Sequence, residues 1–280
     1  MSTCRVRLFQ TGHCVHPEHV VLRTKRLRPM RFPAMFAVIE HPERGPILFD
    51  TGYGQAYLDE RRRLTGRIYN AVTPVTTGPA WFPGARCRAA GIDPGDVRCV
   101  VLSHFHADHI AGLADFPRAR FTYFASAWQA VRGLTGLRAL RRGFLPRLLP
   151  EDFAQRSDPI EEGRWTELPP EFAPFRRAVD LFGDGSLRLL ALPGHATGQL
   201  GILVRRAGGD PPMLLCADAC WTSRSFREGI VPSSLTRLLF HSSREYRATL
   251  GLLTELHRAR PDIDIVPSHC EEVERRLVES

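Results

Sequence analysis

Short apolar runs rich in β-branched residues recur along the chain, and turn-forming residues separate them. Runs of this length and composition predict strands. Two polar loops, His41–Gly45 and Arg206–Pro212, lie between neighbouring runs and predict hairpins. The predicted strands are Arg5–Phe9, Met35–Glu40, Pro46–Asp50, Val97–Leu102, Arg120–Phe124, Leu187–Leu192, Gln199–Arg205, Met213–Ala217 and Ile263–Pro267.

Helices are predicted in the intervals between these strands. Ser126–Gln129 and Ser242–Glu245 both match the capping box, in which a hydroxyl and an amide or carboxylate satisfy free backbone groups at a helix start. The second box introduces a helix of about Arg244–Arg260, and Pro261 ends it. Strands followed by helices occur in both halves of the chain, and no Ser/Gly linker separates the halves. The pattern therefore predicts one α/β domain over residues 1–280.

Residues 126–158 differ in character and predict a basic helical insertion in this domain. The segment combines leucines with arginines. It can pack its leucine face on the domain, line a pocket as a lid, or lie on a membrane surface, and these three interpretations stay open. The arginines are Arg132, Arg138, Arg141, Arg142 and Arg147.

Composition restricts the class of protein. With 280 residues, of which 43% are hydrophobic, the chain can bury a sizeable core. No stretch approaches the roughly 18 apolar residues of a membrane span, and the start has no secretory signal, so we expect a soluble cytoplasmic protein. The seven cysteines lack the paired spacing of a structural zinc site and are expected to be free thiols, Cys220 and Cys270 included.

The formal net charge is +8, yet Lys25 is the only lysine. This excess of arginine indicates a coding bias more than a selected patch, and no basic motif interleaved with aromatic residues accompanies it. No nucleic-acid partner is therefore expected.

Three imidazoles and a carboxylate fall within six residues directly after the predicted strand Val97–Leu102: His104, His106, Asp108 and His109. Strand alternation would place His104 and His106 on one side, where they can chelate one metal, and the following turn would bring Asp108 and His109 to a second. A surface segment rarely concentrates such groups. The run therefore predicts a metal site.

Three further ligand-type side chains, His195, Asp218 and His269, each come just after a later predicted strand. Loops at strand ends can be gathered at one edge of a sheet, so these residues are predicted to join the site. The other histidines are predicted to be structural, in turns and helices or in an N-terminal loop that could still face the site: His13, His16, His19, His41, His241 and His257.

The order of the seven positions, H-x-H-x-D-H followed by H, D and H, resembles the metallo-β-lactamase superfamily, and within it the dizinc N-acyl-homoserine lactone lactonases. The stretch Gly45–Gly52 also resembles the early Asp-Thr-Gly turn of the superfamily. The resemblance implies an α/β fold, a four-layer αβ/βα sandwich with two mixed sheets and with the metals at one edge.

The resemblance also implies two divalent metal ions, most readily Zn²⁺, with Fe or Mn as alternatives. The implied ligands are His104, His106 and His195 for the first ion, Asp108, His109 and His269 for the second, and Asp218 as the bridge between them.

Two cations about 3.5–4 Å apart can hold a hydroxide between them and polarise a carbonyl, so the predicted activity is hydrolysis of a lactone or related ester. Asp108 is the candidate catalytic residue because it can pass a proton to the leaving group. Asp50, in the Asp-Thr-Gly turn, can orient ligand imidazoles or simply cap that turn. The expected partner is a small molecule with an ester, lactone or thioester carbonyl, bound by a monomer or homodimer.

One position departs from the lactonase resemblance, because Trp221 stands where a tyrosine would help to position the substrate carbonyl. An indole can donate a hydrogen bond but cannot accept one. Tyr53, directly after the Asp-Thr-Gly turn, is a candidate substitute, or else an ordinary half-buried loop residue. The substrate therefore stays open among lactones, thioesters and other activated esters.

Other activities remain as alternatives to the lactonase. They are a glyoxalase-II-like thioesterase, a phosphodiesterase, a non-catalytic binding protein, and an iron-dependent persulfide dioxygenase, whose motif is similar to His104–His109. Metal analysis combined with substrate assays discriminates between them.

Overall fold

The computed structural model describes residues 2–24, 26, 28–161, 163–233, 236 and 240–277, so the predicted domain of residues 1–280 extends past the described part at both ends. Its strands are β1 Arg5–Pro17, β2 Pro29–His41, β3 Gly45–Phe49, β4 Val75–Thr76, β5 Cys99–Val101, β6 Arg120–Phe124, β7 Ser157–Ile160, β8 Thr166–Glu167, β9 Arg177–Asp180, β10 Leu187–Ala191, β11 Leu200–Val204, β12 Met213–Ala217 and β13 Asp264–Pro267.

The α-helices are mostly short, and they connect the strands. They are α1 Glu18–Leu22, α2 Gln55–Glu60, α3 Leu64–Val72, α4 Pro83–Ala89, α5 Ala107–Ile110, α6 Ala125–Gln129, α7 Gly136–Leu140, α8 Phe153–Arg156, α9 Ser223–Glu228, α10 Ser243–Ala259 and α11 Glu271–Leu277.

Two mixed sheets form the centre of the molecule. The first has the order β4-β1-β2-β3-β5-β6-β7, with antiparallel pairs around β1 and β2 and parallel pairs from β3 to β7. The second has the order β13-β12-β11-β10-β9-β8 and is antiparallel except for the pair β12 and β13. Both predicted hairpins are present, between β2 and β3 and between β11 and β12.

Three buried clusters separate four layers. One cluster, including Ile39, Phe49 and Leu215, lies between the two sheets, because alternate residues of each strand point to the other sheet. A second joins the seven-stranded sheet to its helices, and a third joins the six-stranded sheet to α9 and α10 through residues such as Leu190 and Leu253. The predicted four-layer αβ/βα sandwich with two mixed sheets is confirmed.

All nine predicted strands are found, but β1 and β2 are much longer than predicted. Their pairing continues past a bulge between Gln10 and His13 to the partners Pro17 and Pro29. Backbone pairing carries this ribbon through polar residues that interrupt the apolar pattern. As a result, His13 and His16 lie on β1, and the predicted N-terminal loop is wrong at these positions.

The two capping boxes differ in outcome. The hydroxyl of Ser242 accepts a hydrogen bond from the backbone N–H of Glu245 at 3.2 Å and caps α10, as predicted. Ser126 does not cap a helix, because α6 begins directly at the end of β6 with Phe124 as its N-cap. The sequence motif cannot show that the helix has already started one residue earlier.

The basic segment 126–158 connects β6 to the parallel strand β7. Its helices are short, and it extends into the first residues of β7. Leu145 and Leu148 are buried in the domain, whereas Leu137 on α7 is 60% exposed. The leucine face of the segment is therefore only partly covered by the domain. Within the described residues, no helix has both the length and the hydrophobicity needed to cross a membrane.

Candidate metal centre

The predicted ligand residues come from four strand ends that meet at one edge of the sandwich. The run from His104 to His109 follows β5, and His195 lies in the connection from β10 to β11. Asp218 directly follows β12, and His269 is the second residue after β13. Because β5 belongs to the first sheet and the other strands to the second, the site lies where the two sheets meet. Only the packing of the sheets brings these loops together.

The local geometry after β5 differs from the one predicted. The strand ends at Val101, so strand alternation does not align His104 with His106. Instead, His106 has an extended backbone and is the N-cap of α5, and Asp108 and His109 lie in the first turn of that helix. The expected convergence is present, but a loop and a helical turn produce it.

Three groups of side chains bring their metal-binding atoms within 4.8 Å of one another. Two of them have the composition implied for the two cations, and the third joins Asp218 to both sets. The groups are His104 with His106 and His195, Asp108 with His109 and His269, and His104 with His109 and Asp218.

Asp218 lies between the two sets of ligands. Its Oδ1 is 3.1 Å from Nε2 of His269 and 3.3 Å from Nε2 of His109, whereas its Oδ2 is 3.2 Å from Nε2 of His195. Within the group implied for the first cation, Nε2 of His195 is 2.9 Å from Nδ1 of His106. Ligand atoms of a tetrahedral zinc ion with bonds of about 2.0–2.1 Å are separated by about 3.3 Å, so these spacings fit shared cations.

Several ligand imidazoles are oriented through their second nitrogen. His109 donates from Nδ1 to Oδ2 of Asp50 at 2.7 Å, and His269 donates from Nδ1 to the carbonyl of Pro33 at 2.8 Å. These bonds fix the tautomer and direct each Nε2 into the site. Asp50 therefore orients the imidazole of His109, a candidate ligand, which agrees with one of the two interpretations of the Asp-Thr-Gly turn.

Ser103 connects Asp50 to a second imidazole. Its backbone N–H donates to Oδ1 of Asp50 and its hydroxyl donates to Oδ2, both at 2.8 Å, while Nδ1 of His104 lies 2.9 Å from the same hydroxyl oxygen. One buried carboxylate thus holds the outer nitrogens of two imidazoles. Sequence reasoning missed Ser103, although its position directly before the histidine run was a usable signal.

The buried charges of the site are mutually compensating. Burial opposes protonation of His109, but the carboxylates of Asp50, Asp108 and Asp218 outweigh it and hold the pKa of His109 well above its usual value. Burial also opposes ionisation of Asp218, yet the neighbouring imidazoles, His269 first, hold its pKa well below the usual range. Burial holds the pKa of His104 and of His195 well below the usual value. Carboxylates thus face imidazoles throughout this buried site.

The donor set itself tests whether metal ions fit here. Nε2 of His104, Nε2 of His109 and Oδ1 of Asp218 are buried and have no hydrogen-bond partner of acceptable geometry. Leaving such atoms unpaired costs about 1–3 kcal/mol each. Coordination to a cation satisfies all three, and five imidazoles with two carboxylates suit a borderline metal ion. The residues present therefore fit two metal ions.

A cavity of about 460 Å³ opens onto the ligands His106, Asp108, His195, Asp218 and His269. Its remaining walls are mostly apolar or aromatic and come from β1, β2, α1, α3, α7 and the connection from β12 to α9. They include Cys14, His16, Val21, Phe32, Ile68, Tyr69, Val72, Leu137, Leu140 and Trp221, with Arg141 as a cationic wall residue.

Trp221 lines this cavity, but its indole N–H is engaged. It donates to Oδ2 of Asp218 at 2.9 Å, and its ring lies edge-on to Phe240. Tyr53, the other candidate for contact with substrate, is buried, and its hydroxyl lies 3.4 Å from that of Tyr69. Tyr69, which sequence reasoning missed, lines the cavity, whereas Tyr53 lies behind it.

Gly143 is a further residue that the sequence did not single out. It has φ of +63°, and a Cβ there would lie 2.6 Å from the His106 ring. Its carbonyl accepts a hydrogen bond from the backbone N–H of Ala107 at 3.1 Å. The basic segment thereby holds the start of α5 through this hydrogen bond. Only glycine at position 143 allows its backbone to lie so close to the His106 ring.

The two cysteines close to ligands do not join these groups of metal-binding atoms. Burial raises the pKa of the Cys220 thiol well above its usual value, and its sulfur lies 3.8 Å from that of Cys216. The sulfur of Cys270 accepts a hydrogen bond from the backbone N–H of Ser223 at 3.3 Å. Among the described residues, all seven cysteines are free thiols, as predicted.

Comparison with known proteins decides the family. A family model described as the metallo-β-lactamase superfamily matches residues 31–269, which includes all seven ligand positions. The chain belongs to the metallo-β-lactamase superfamily.

Individual relatives include lactonases. The chain is 29% identical over 241 residues to an N-acyl homoserine lactonase AttM of Azorhizobium caulinodans, covering 84% of this chain and 83% of that protein. It is 30% identical over 245 residues to the protein of the same name from Rhizobium johnstonii, with the same coverage.

Solved structures of other proteins share the fold of this chain. An N-acyl homoserine lactone hydrolase with N-hexanoyl-L-homoserine bound at its catalytic metal centre superposes with a TM-score of 0.72 over 99% of this chain and 97% of that one, at 17% identity. This likeness concerns the architecture. The family match and the similar sequences identify the chain as a metal-dependent hydrolase of the metallo-β-lactamase superfamily.

Proposed function

We propose that this enzyme is a dinuclear metal-dependent lactonase, which opens the ring of small lactones that carry an apolar chain. The single observation that carries the proposal is the arrangement around Asp218, whose two oxygens face two separate sets of imidazole ligands. The lactonase names of the similar sequences support the substrate class. We further propose a single domain that acts as a monomer or homodimer.

In this proposal, the first cation is held by His104, His106 and His195, the second by Asp108, His109 and His269, and Asp218 binds both. Zn²⁺ suits this set best, because tetrahedral sites of imidazole and carboxylate are typical of zinc, although Fe or Mn also accept these ligands. When bound, the pair supplies an activated water and a Lewis acid for the carbonyl.

The protein's own groups complete the site. Asp108 lies on the cavity wall with its side chain 17% exposed, so it can hold a proton for the departing ring oxygen. Trp221 holds Asp218 in place through its N–H. The apolar walls, Ile68 and Leu140 among them, exclude water and accept an apolar chain.

The comparisons favour lactone hydrolysis over the thioesterase, phosphodiesterase and persulfide dioxygenase alternatives. The cavity agrees with this preference, because its wall is mostly apolar and suits a substrate with an apolar chain.

The proposed function predicts the outcome of a substrate panel assayed with metal-analysed protein. We expect kcat/KM for acylated lactones to exceed that for matched thioesters and phosphodiesters by at least about 100-fold, or about 2.7 kcal/mol of transition-state discrimination. A chelator should abolish turnover, and two equivalents of Zn²⁺ should restore it. Higher turnover of a thioester, or full activity of metal-free protein, would contradict the proposal.

A second prediction concerns Trp221, since its N–H holds Asp218 rather than the substrate. Trp221→Phe keeps most of the ring volume and removes the donor. We expect kcat to fall about tenfold, the usual order for loss of a hydrogen bond to a charged group, with KM changed less than kcat. Steady-state kinetics measures the split. Trp165→Phe is the matched control, because the same exchange is made at a ring that packs on Phe124, away from the candidate ligands; an equal effect of both variants would refute the positioning role.

A further inference from the structure

Exposed apolar side chains concentrate beside the mouth of the cavity. Of the large hydrophobic residues among the described ones, those more than half exposed are Leu64 at 72%, Val72 at 62% and Leu137 at 60%. Leu64 and Val72 are the two ends of α3, and Leu137 lies on α7, which packs against α3. Scattered exposed leucines need no explanation, but a group on two adjoining helices indicates an interaction surface.

The same region is free of acidic residues in sequence. No aspartate or glutamate occurs between Glu60 and Asp93, nor between Asp115 and Glu151. The exposed arginines there include Arg62, Arg67, Arg138, Arg141 and Arg142. In the part of the chain that the structure describes, no carboxylate pairs with Arg62, Arg67 or Arg138. These arginines give the region around α3 and α7 a positive charge that no carboxylate of the same two sequence stretches offsets.

This surface and the cavity share residues. Val72 and Leu137 contribute both to the exposed group and to the cavity wall, and Arg141 borders the opening next to Leu140. A partner lying on α3 and α7 would therefore face the route by which an apolar substrate enters.

We propose that the α3–α7 surface binds an anionic lipid bilayer. Apolar side chains among unpaired arginines match the interface between acyl chains and acidic headgroups. A second copy of this chain is a poorer occupant because its own α3–α7 surface is also positive, and a nucleic acid gives no partner to Leu64, Val72 and Leu137. This binding is independent of the substrate proposed above, so its test requires no turnover.

The test is co-sedimentation of the metal-loaded protein with phosphatidylcholine vesicles that contain about 30% phosphatidylglycerol. Each basic residue near such a surface contributes about 1 kcal/mol, or about fivefold in partitioning, so Arg62→Glu with Arg67→Glu should weaken binding by about 25-fold or more. Leu64→Ser should weaken it by about tenfold through lost burial. The wild-type protein should lose binding as ionic strength rises.

The matched control is Arg247→Glu with Arg258→Glu, which reverses the charge of two exposed arginines on α10. This helix packs on the six-stranded sheet, away from α3 and α7. The control variant has the same net charge as the test variant and should bind vesicles like the wild type. Equal losses in both double variants, equal binding to pure phosphatidylcholine, or tighter binding to duplex DNA than to vesicles would overturn the proposal. So would a dimer in sedimentation velocity that Leu64→Ser dissociates, because a second copy would then cover this surface.

Discussion

Replacement of Asp218 by alanine is expected to cost the enzyme both its metal and its activity. Asp218 is the side chain whose oxygens face both sets of imidazoles, at 3.1–3.3 Å from three ring nitrogens. Loss of a single oxyanion donor already lowers kcat by about 10²–10³, so loss of a ligand to both cations should lower kcat/KM by at least about 10³-fold. Metal content, measured by elemental analysis after dialysis, should fall below two ions per chain.

Asp210→Ala is the matched control, because Asp210 is an exposed aspartate in the hairpin loop between β11 and β12. It should retain wild-type metal content and turnover. If Asp218→Ala instead kept two ions and full activity, the bridging assignment would be wrong, and the two sets of ligands would have to act separately.

The second large effect, on metal affinity, is expected at Asp50, a buried residue that does not line the cavity. Asp50→Asn should lower metal affinity by about 10–100-fold, because an amide replaces the carboxylate that accepts from His109 and Ser103. Asparagine tolerates the backbone at this position, where φ is +61°. The loss should therefore reflect the changed acceptor rather than backbone strain. Competition with a metal chelator measures the affinity.

Turnover of Asp50→Asn at saturating metal shows whether Asp50 only orients the metal-binding imidazoles or takes part in the reaction itself. Asp50→Asn should recover much of its turnover when metal is added, because Asp50 acts through His109 and Ser103. Asp93→Asn is the control, since Asp93 also accepts a backbone N–H in a turn, from Gly95 at 2.8 Å, but lies before the start of β5, whereas the candidate ligands follow the end of that strand. Unchanged metal affinity of Asp50→Asn would show that His109 is oriented by other contacts.

The longer elements, and the set of candidate ligand residues that the structure brings together, could be predicted because their signals are local. Five-residue apolar runs such as Met213–Ala217 are buried strands in the structure, and Ser242 caps α10 through its own hydroxyl. Short polar strands were not predicted. The four residues of β7 and the two of β8 have no apolar pattern, and they form strands only because a neighbouring strand offers unpaired backbone groups.

Which leucines of the basic segment 126–158 are buried could not be predicted from its sequence either. Its sequence allowed a packed face, a pocket lining or a membrane surface, and the leucines divide between these roles. Leu145 and Leu148 are buried, Leu140 lines the cavity, and Leu137 both borders the cavity and is 60% exposed. Periodicity could not separate them, because the segment turns several times in short helices and each turn changes which side faces the domain.

The sequence by itself determined the seven candidate metal ligands, since imidazoles and carboxylates at strand ends form a pattern that no surface requires, and the structure brings these side chains together. Only the tertiary structure decided how they act together: which oxygen of Asp218 faces which imidazoles, that Asp50 works through Ser103, and that the N–H of Trp221 is already engaged. These relations join residues up to 236 positions apart, as between His269 and Pro33. They arise from the packing of two sheets, which no local pattern encodes.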